Sequence, residues 1–224
     1  YDAYLRGQSN DPDWKSWQYT TVDGGYVPEE EIKKAKSMMD ERAFKTEFLA
    51  SFETTGNRAA YNFDRSTHVR KAEQLSSSLF WGMDFNVDYM SAVLGCEYSN
   101  GTIHYFDEIR QTNSNTEEMA KAMIKIAHNV PVYPDAAGSA RSTTSNRSDH
   151  SILKEFRFQV ISKKANPPIK DRIMSLNRIL KDANGRIRMT VDPKCIHLIK
   201  DLEQVQRSRD GKIDKSNIAL THMF

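Results

Sequence analysis

Asn100-Gly101 lies between two apolar, strand-like stretches and constrains the fold more than any other feature of the chain. This dipeptide favours the tight turn whose twist matches paired antiparallel strands. It predicts a hairpin of Tyr89–Tyr98 with Thr102–Phe106. Upstream, Leu79-Phe80-Trp81-Gly82-Met83-Asp84-Phe85 reads as a first strand, apolar but broken by an acid. Downstream the period changes. A helix starts at Thr116, its expected cap, and buries Met119, Ala122, Met123, Ile126 and Ala127. An extended stretch Val130–Asp135 follows, then a helix (149–156), a strand (158–162), a helix (168–182), a strand (186–191) and a helix (193–206). Antiparallel strands followed by α/β alternation predict an α/β fold, a mixed β-sheet flanked by helices on both faces.

The N-terminal part reads differently. Residues 1–28 are aromatic and turn-rich, and 29–49 read as one helix opened by Pro28 and Glu29-Glu30-Glu31. Residues 54–76 are polar and irregular, which places a boundary near 60–75. A length of 224 residues with 38% hydrophobic content suits one large domain, or one domain plus a short appendage, here an N-terminal helical one. No stretch approaches the roughly 18 apolar residues of a membrane span, so no membrane partner is expected. The two cysteines, Cys96 and Cys195, cannot form a disulfide scaffold or a cysteine zinc finger. A reducing cytoplasm is the default compartment. The first residue is Tyr1, and the missing initiator Met predicts a fragment or a processed product.

The near-neutral net charge of +2 conceals an asymmetry. Residues 141–212 hold 17 Lys/Arg against 8 Asp/Glu, and the remainder holds 15 against 22. A basic segment attracts polyanions by releasing their counterions. A solvated face with ordinary ion pairs would give the same count. The cations of this segment that could contact phosphate are Arg141 and Arg147, which flank a Ser/Thr/Asn loop, and Lys163, Lys164, Lys170 and Arg172.

Acids that interrupt apolar strands carry the strongest chemical signal. A carboxylate beside Trp81-Gly82-Met83 is costly to bury unless it is paired, hydrogen-bonded or metal-bound. Asp84 ends the first predicted strand and Asp135 the fourth. Carboxylates at neighbouring strand ends can converge on hard cations, of which Mg²⁺ or Mn²⁺ is the natural occupant. Two such ions support attack of water on a phosphodiester. Taken singly, Asp84 reads equally as the cap of a turn with Asn86, and Asp135 as the cap of a turn before Ala136-Ala137-Gly138. Asp107 and Glu108, at the end of the third predicted strand, are further candidate ligands or a solvated strand end. Asp149 reads as a helix cap.

Several chemistries lack their motifs. No Gly-x-x-x-x-Gly-Lys-[Ser/Thr] loop is present, since Gly211-Lys212 runs into Ile213. Neither a Gly-x-Ser-x-Gly elbow nor a His-Glu-x-x-His pair occurs.

Trp81-Gly82-Met83-Asp84-Phe85-Asn86 resembles the first nuclease motif of the large terminase subunit of tailed bacteriophages, and Tyr133-Pro134-Asp135-Ala136-Ala137 is similar to its second acidic motif. Asn166-Pro167-Pro168-Ile169-Lys170-Asp171-Arg172-Ile173 resembles the segment before the next helix. Trp14–Thr21, Pro28–Ile32 and Phe44–Phe52 look like the end of that family's ATPase domain and its linker. The resemblance implies an RNase H-like nuclease domain over 71–224, preceded over 1–70 by the end of the ATPase domain and linker helices. It implies a metal-dependent endodeoxyribonuclease that cuts concatemeric double-stranded DNA with two Mg²⁺ or Mn²⁺ ions on Asp84 and Asp135. The full-length protein would also be an ATPase, and this fragment alone would not. Implied partners are double-stranded DNA, the small terminase subunit, the portal protein and the N-terminal ATPase domain, in the host cell cytoplasm. The family's third acid follows a His-x-x-Asp pattern. Here His222 supplies the histidine and the acid would fall just past Phe224, with Asp214 a substitute that does not match the motif. Two other readings share these residues: a junction resolvase or transposase-like nuclease, and a non-catalytic DNA-binding or portal-docking module.

Overall fold

The computed structural model describes residues 4, 6–7, 12–51, 56–86, 88–140, 147–208 and 212–214. Its centre is a six-stranded mixed sheet: β1 (Leu79–Asp84), β2 (Tyr89–Glu97), β3 (Ile103–Thr112), β4 (Pro131–Pro134), β5 (Gln159–Val160) and β6 (Met189–Val191), in spatial order β5-β4-β1-β2-β3-β6. The β1–β2 and β2–β3 pairs are antiparallel, while β1–β4, β4–β5 and β3–β6 are parallel. Gly101, at φ 74°, makes the turn between β2 and β3 that Asn100-Gly101 predicts.

Strand alternation sorts the core onto two faces. Trp81, Met83, Ala92, Leu94 and Val132 pack with Met119, Ala120 and Met123 of the helix Thr116–Ile126, and with Leu153 of the helix Asp149–Glu155. Val93, Met189 and Val191 face the other way. They meet Leu180 of the helix Ile169–Leu180, and Leu198, Ile199 and Leu202 of the helix Ile196–Gln204. Ala60 and Phe63 join this second cluster, and Val69 bridges to Val191.

The elements differ from the sequence expectation in a few places, each for a local reason. The stretch 29–49 is two helices, Glu29–Met38 and Glu41–Phe48, because Asp40 caps the second by accepting from the Arg42 and Ala43 amides at 3.0 Å each. Asn115, not Thr116, caps the helix at Thr116–Ile126, while Thr116 Oγ1 donates to Asp149 Oδ1 at 2.5 Å. Ser148 caps Asp149–Glu155 in a reciprocal pair with Ser151, so Asp149 is not the cap. β3 runs on to Thr112, which places Asp107 and Glu108 inside the strand instead of at its end.

Candidate active site

β1 alternates Trp81 and Met83 into the first core cluster with Gly82 and Asp84 on the opposite face. β4 lies parallel beside it, with Trp81 opposite Val132, Gly82 opposite Tyr133 and Met83 opposite Pro134. The ladder continues one step further, since the Asp135 amide donates to the Met83 carbonyl at 3.1 Å. The period of two therefore puts Asp84 and Asp135 on one face, at the same end of two adjacent strands. Both are partly exposed. Across β1–β2 the Asp84 rung continues through Ser91 to Arg110, whose guanidinium lies 4.5 Å from the Tyr89 ring centroid.

Asp135 is held from several sides. Its Oδ1 accepts from the Ala137 amide at 2.7 Å, which starts the 3-10 turn Ala136–Ser139. The same oxygen accepts from Asn166 Nδ2 at 2.7 Å, and Asn166 Oδ1 accepts from the Ala136 amide at 3.1 Å. His150 Nε2 lies 2.9 Å from the Asp135 carbonyl oxygen, so Nε2 carries the proton. His150 is buried and packs against Phe85, with ring centroids 5.8 Å apart. Gly138 lets this wall close: a Cβ there would stand 2.2 Å from Phe85 Cε2.

Asp107 is not brought to this end of the sheet. Asp107 shares its rung with Leu94 and Trp81, three residues along the strand from the Asp84 rung, and pairs with Lys194 at 3.0 Å. Strand spacing thus puts it roughly 10 Å along and two strands of about 4.8 Å across from Asp84. Oxygen ligands sit only about 2.0–2.6 Å from Mg²⁺ or Ca²⁺, so Asp107 and Asp84 cannot share an ion. Asp214 follows Ile213 in a short bridge to Arg207, and its amide donates to the Gln206 carbonyl. Arg147 pairs with Glu155. Lys163 and Lys164 are exposed after β5, and Lys170 and Arg172 are exposed on the first turn of Ile169–Leu180. Arg141 and His222 lie outside the described residues. Among the described residues, no group of three or more His, Cys, Asp and Glu is arranged to hold a metal ion. Burial, aided by Glu108, Asp107 and Asp192, pushes the Cys195 thiol up to about 12, so it offers no thiolate nucleophile near neutral pH.

The family model of the terminase RNaseH-like domain matches residues 81–218, from the start of the Asp84 motif past the helix Ile196–Gln204. The chain belongs to this family. No curated protein matches. Among solved structures, the nuclease domain of the P22 large terminase is similar over 72% of this chain and 86% of its own, at 13% identity and a TM-score of 0.59. The large terminase of a thermophilic bacteriophage, solved with ADP, is similar over 96% of this chain, at 13% identity and a TM-score of 0.69. The chain spans about half of that protein, 54% of its length. At these identities the likeness speaks for the fold, and it agrees with the six-stranded mixed sheet.

Within this terminase fold, sequence reasoning missed Asn166 and His150 as supports of Asp135. Asn166 stands before Pro167-Pro168, 31 positions from Asp135 in sequence, so nothing local pairs the two. His150 adjoins a helix start, and nothing local ties it to a carbonyl fifteen positions earlier.

Proposed function

We propose that this chain is the nuclease domain of a phage DNA-packaging terminase, a metal-dependent endodeoxyribonuclease acting on double-stranded DNA. The observation that carries the reading is the placement of Asp84 and Asp135 on one face at adjacent strand ends. The donor set fits a hard divalent cation. Both groups are carboxylates, and Asp135 receives both of its side-chain hydrogen bonds on Oδ1. Among the described residues, Oδ2 accepts no donor and stays available. Mg²⁺ or Mn²⁺ held by Asp84 and Asp135 would supply charge to activate water and to stabilise the departing oxygen.

The chain's own residues do the rest. The Ala137 amide and Asn166 fix the Asp135 carboxylate, and His150 anchors the backbone beneath it. Lys163, Lys164, Lys170 and Arg172, on the segment that Asn166 ties to Asp135, would contact backbone phosphates and leave the bases unread. Cutting by the isolated domain is therefore expected to fall steeply with salt and to show little sequence preference. The third acid, by the family pattern, would follow Phe224. The ATPase domain, whose end the resemblance places within residues 1–70, the small terminase subunit and the portal would restrain the nuclease in the host cytoplasm.

Plasmid nicking and linearisation with Mn²⁺, Mg²⁺ or EDTA tests this. The chain and a form extended past Phe224 are compared, each as wild type, Asp84→Ala and Asp135→Ala. Metal-dependent cutting that drops to background in both variants is expected. Cutting that survives either substitution, or no cutting by the extended form despite DNA binding, would overturn the reading. Preference for four-way junctions over linear duplex would reassign it to a resolvase.

A further inference from the structure

We infer that Asn166 is a positioning residue for Asp135, holding one carboxylate oxygen so that the other faces the metal. The inference rests on the reading of Asp84 and Asp135 as metal ligands. The Asn166 amide spans two partners whose roles cannot be exchanged. A backbone N–H only donates and an ionised carboxylate only accepts. The Ala136 amide therefore requires Asn166 Oδ1, at 3.1 Å, and Nδ2 is left to face Asp135 Oδ1, at 2.7 Å. That network fixes the amide orientation. With the Ala137 amide at 2.7 Å, Oδ1 takes two donors, and rotation of the carboxylate would break both.

The support is itself rigid. Asn166 is followed by Pro167 and Pro168, whose rings restrict φ. Pro168, at φ −50°, opens the twelve-residue helix Ile169–Leu180. Ile173 and Leu180 bury that helix against the body of the domain. The amide thus reaches Asp135 from a different layer, 31 positions away in sequence. Partners that orient a metal ligand are commonly worth about 10–100-fold in metal affinity or activity.

The test is Mn²⁺ binding, followed by the electron paramagnetic resonance signal of free Mn²⁺, with unfolding temperature measured in parallel. Wild type, Asn166→Ala, Asn166→Leu and Asp135→Ala are compared. Leu keeps the branched shape of Asn, slightly enlarged, without a donor and serves if the Ala variant fails to fold. Expected is Asp135-dependent binding in wild type, weakened about tenfold or more by loss of the Asn166 amide, with the unfolding temperature little changed because Asn166 is exposed. Wild-type affinity in the Asn166 variants, with binding lost in Asp135→Ala, would overturn this inference alone. Mn²⁺ binding indifferent to Asp135→Ala would overturn the site reading and this inference with it.

Discussion

Glu108, inside a strand, and Asp135, just past the end of one, are both carboxylates that accept two N–H donors, yet they are used oppositely. Glu108 engages both oxygens: Oε1 accepts from the His197 amide at 2.8 Å and Oε2 from the Leu198 amide at 2.9 Å. It caps the helix Ile196–Gln204, whose own N-cap residue, Cys195, makes no side-chain cap bond. Asp135 takes both donors on one oxygen. Glu108 also lies inside β3, opposite Val93, whereas Asp135 stands just beyond the end of β4 beside Asp84. Charge and hydrogen-bond count do not separate a structural acid from a candidate ligand here. The free oxygen and the position at the strand end do.

The sharpest way to break that contrast is Glu108→Ala. It strips a charged acceptor from two amides at the start of a packed helix. The expected loss is about 2–3 kcal/mol, since hydrogen bonds to charged groups are worth about 1.5–3. For a chain of this size that lowers the unfolding temperature by roughly 5–10 °C. Mn²⁺ affinity measured well below the transition should stay within about twofold, because the variant leaves Asp84 and Asp135 untouched. A large loss of metal affinity without loss of stability would reverse the two roles.

Gly138→Ala comes next and acts on the other acid. Its Cβ would meet Phe85 Cε2 at 2.2 Å and His150 Cδ2 at 3.0 Å. Phe85 must move, and overpacking of this kind costs about 1–3 kcal/mol. Phe85 follows Asp84, and His150 holds the Asp135 carbonyl. Calorimetry and plasmid cutting should therefore both report damage, with activity falling even at temperatures where the variant is fully folded. Unchanged cutting in a destabilised variant would show that the wall is packing only.

The sequence exposes the parts of this comparison that depend on local pattern. Alternation through Trp81, Gly82, Met83 and Asp84 gives the face of the first acid, and Asn100-Gly101 gives the hairpin. The helix break at Asp40 is also written locally, as an aspartate before Glu41, but the apolar period through Met38, Met39 and Phe44 masks it. The length of β3 is not legible in the same way. Its polar second half, Asp107 to Thr112, looks like a strand end until the Glu108 carboxylate meets amides 89 and 90 positions later. Asn166 and His150 are hidden for the same reason, since their partners are defined by layers that meet only in the folded chain.

The smallest expected effect belongs to Asp107→Ala. Its carboxylate ends on Lys194, at 3.0 Å, a pair whose lysine side chain is 55% exposed. Such pairs contribute about 0–1 kcal/mol, because water screens them and two side chains are immobilised. Among the described residues, its second oxygen accepts only from the adjacent Glu108 amide, at 2.9 Å. Removing the carboxylate should shift the unfolding temperature by a few degrees at most. Mn²⁺ affinity and cutting should remain at the wild-type level, since the strand register keeps this acid three residues from the Asp84 rung. Lys194→Ala should match it in stability, and the double variant should add little, as expected of two partners in one weak pair. Loss of metal binding in Asp107→Ala, with Lys194→Ala unaffected, would mean that the bulge between Leu94 and Gly95 rearranges to deliver a third ligand.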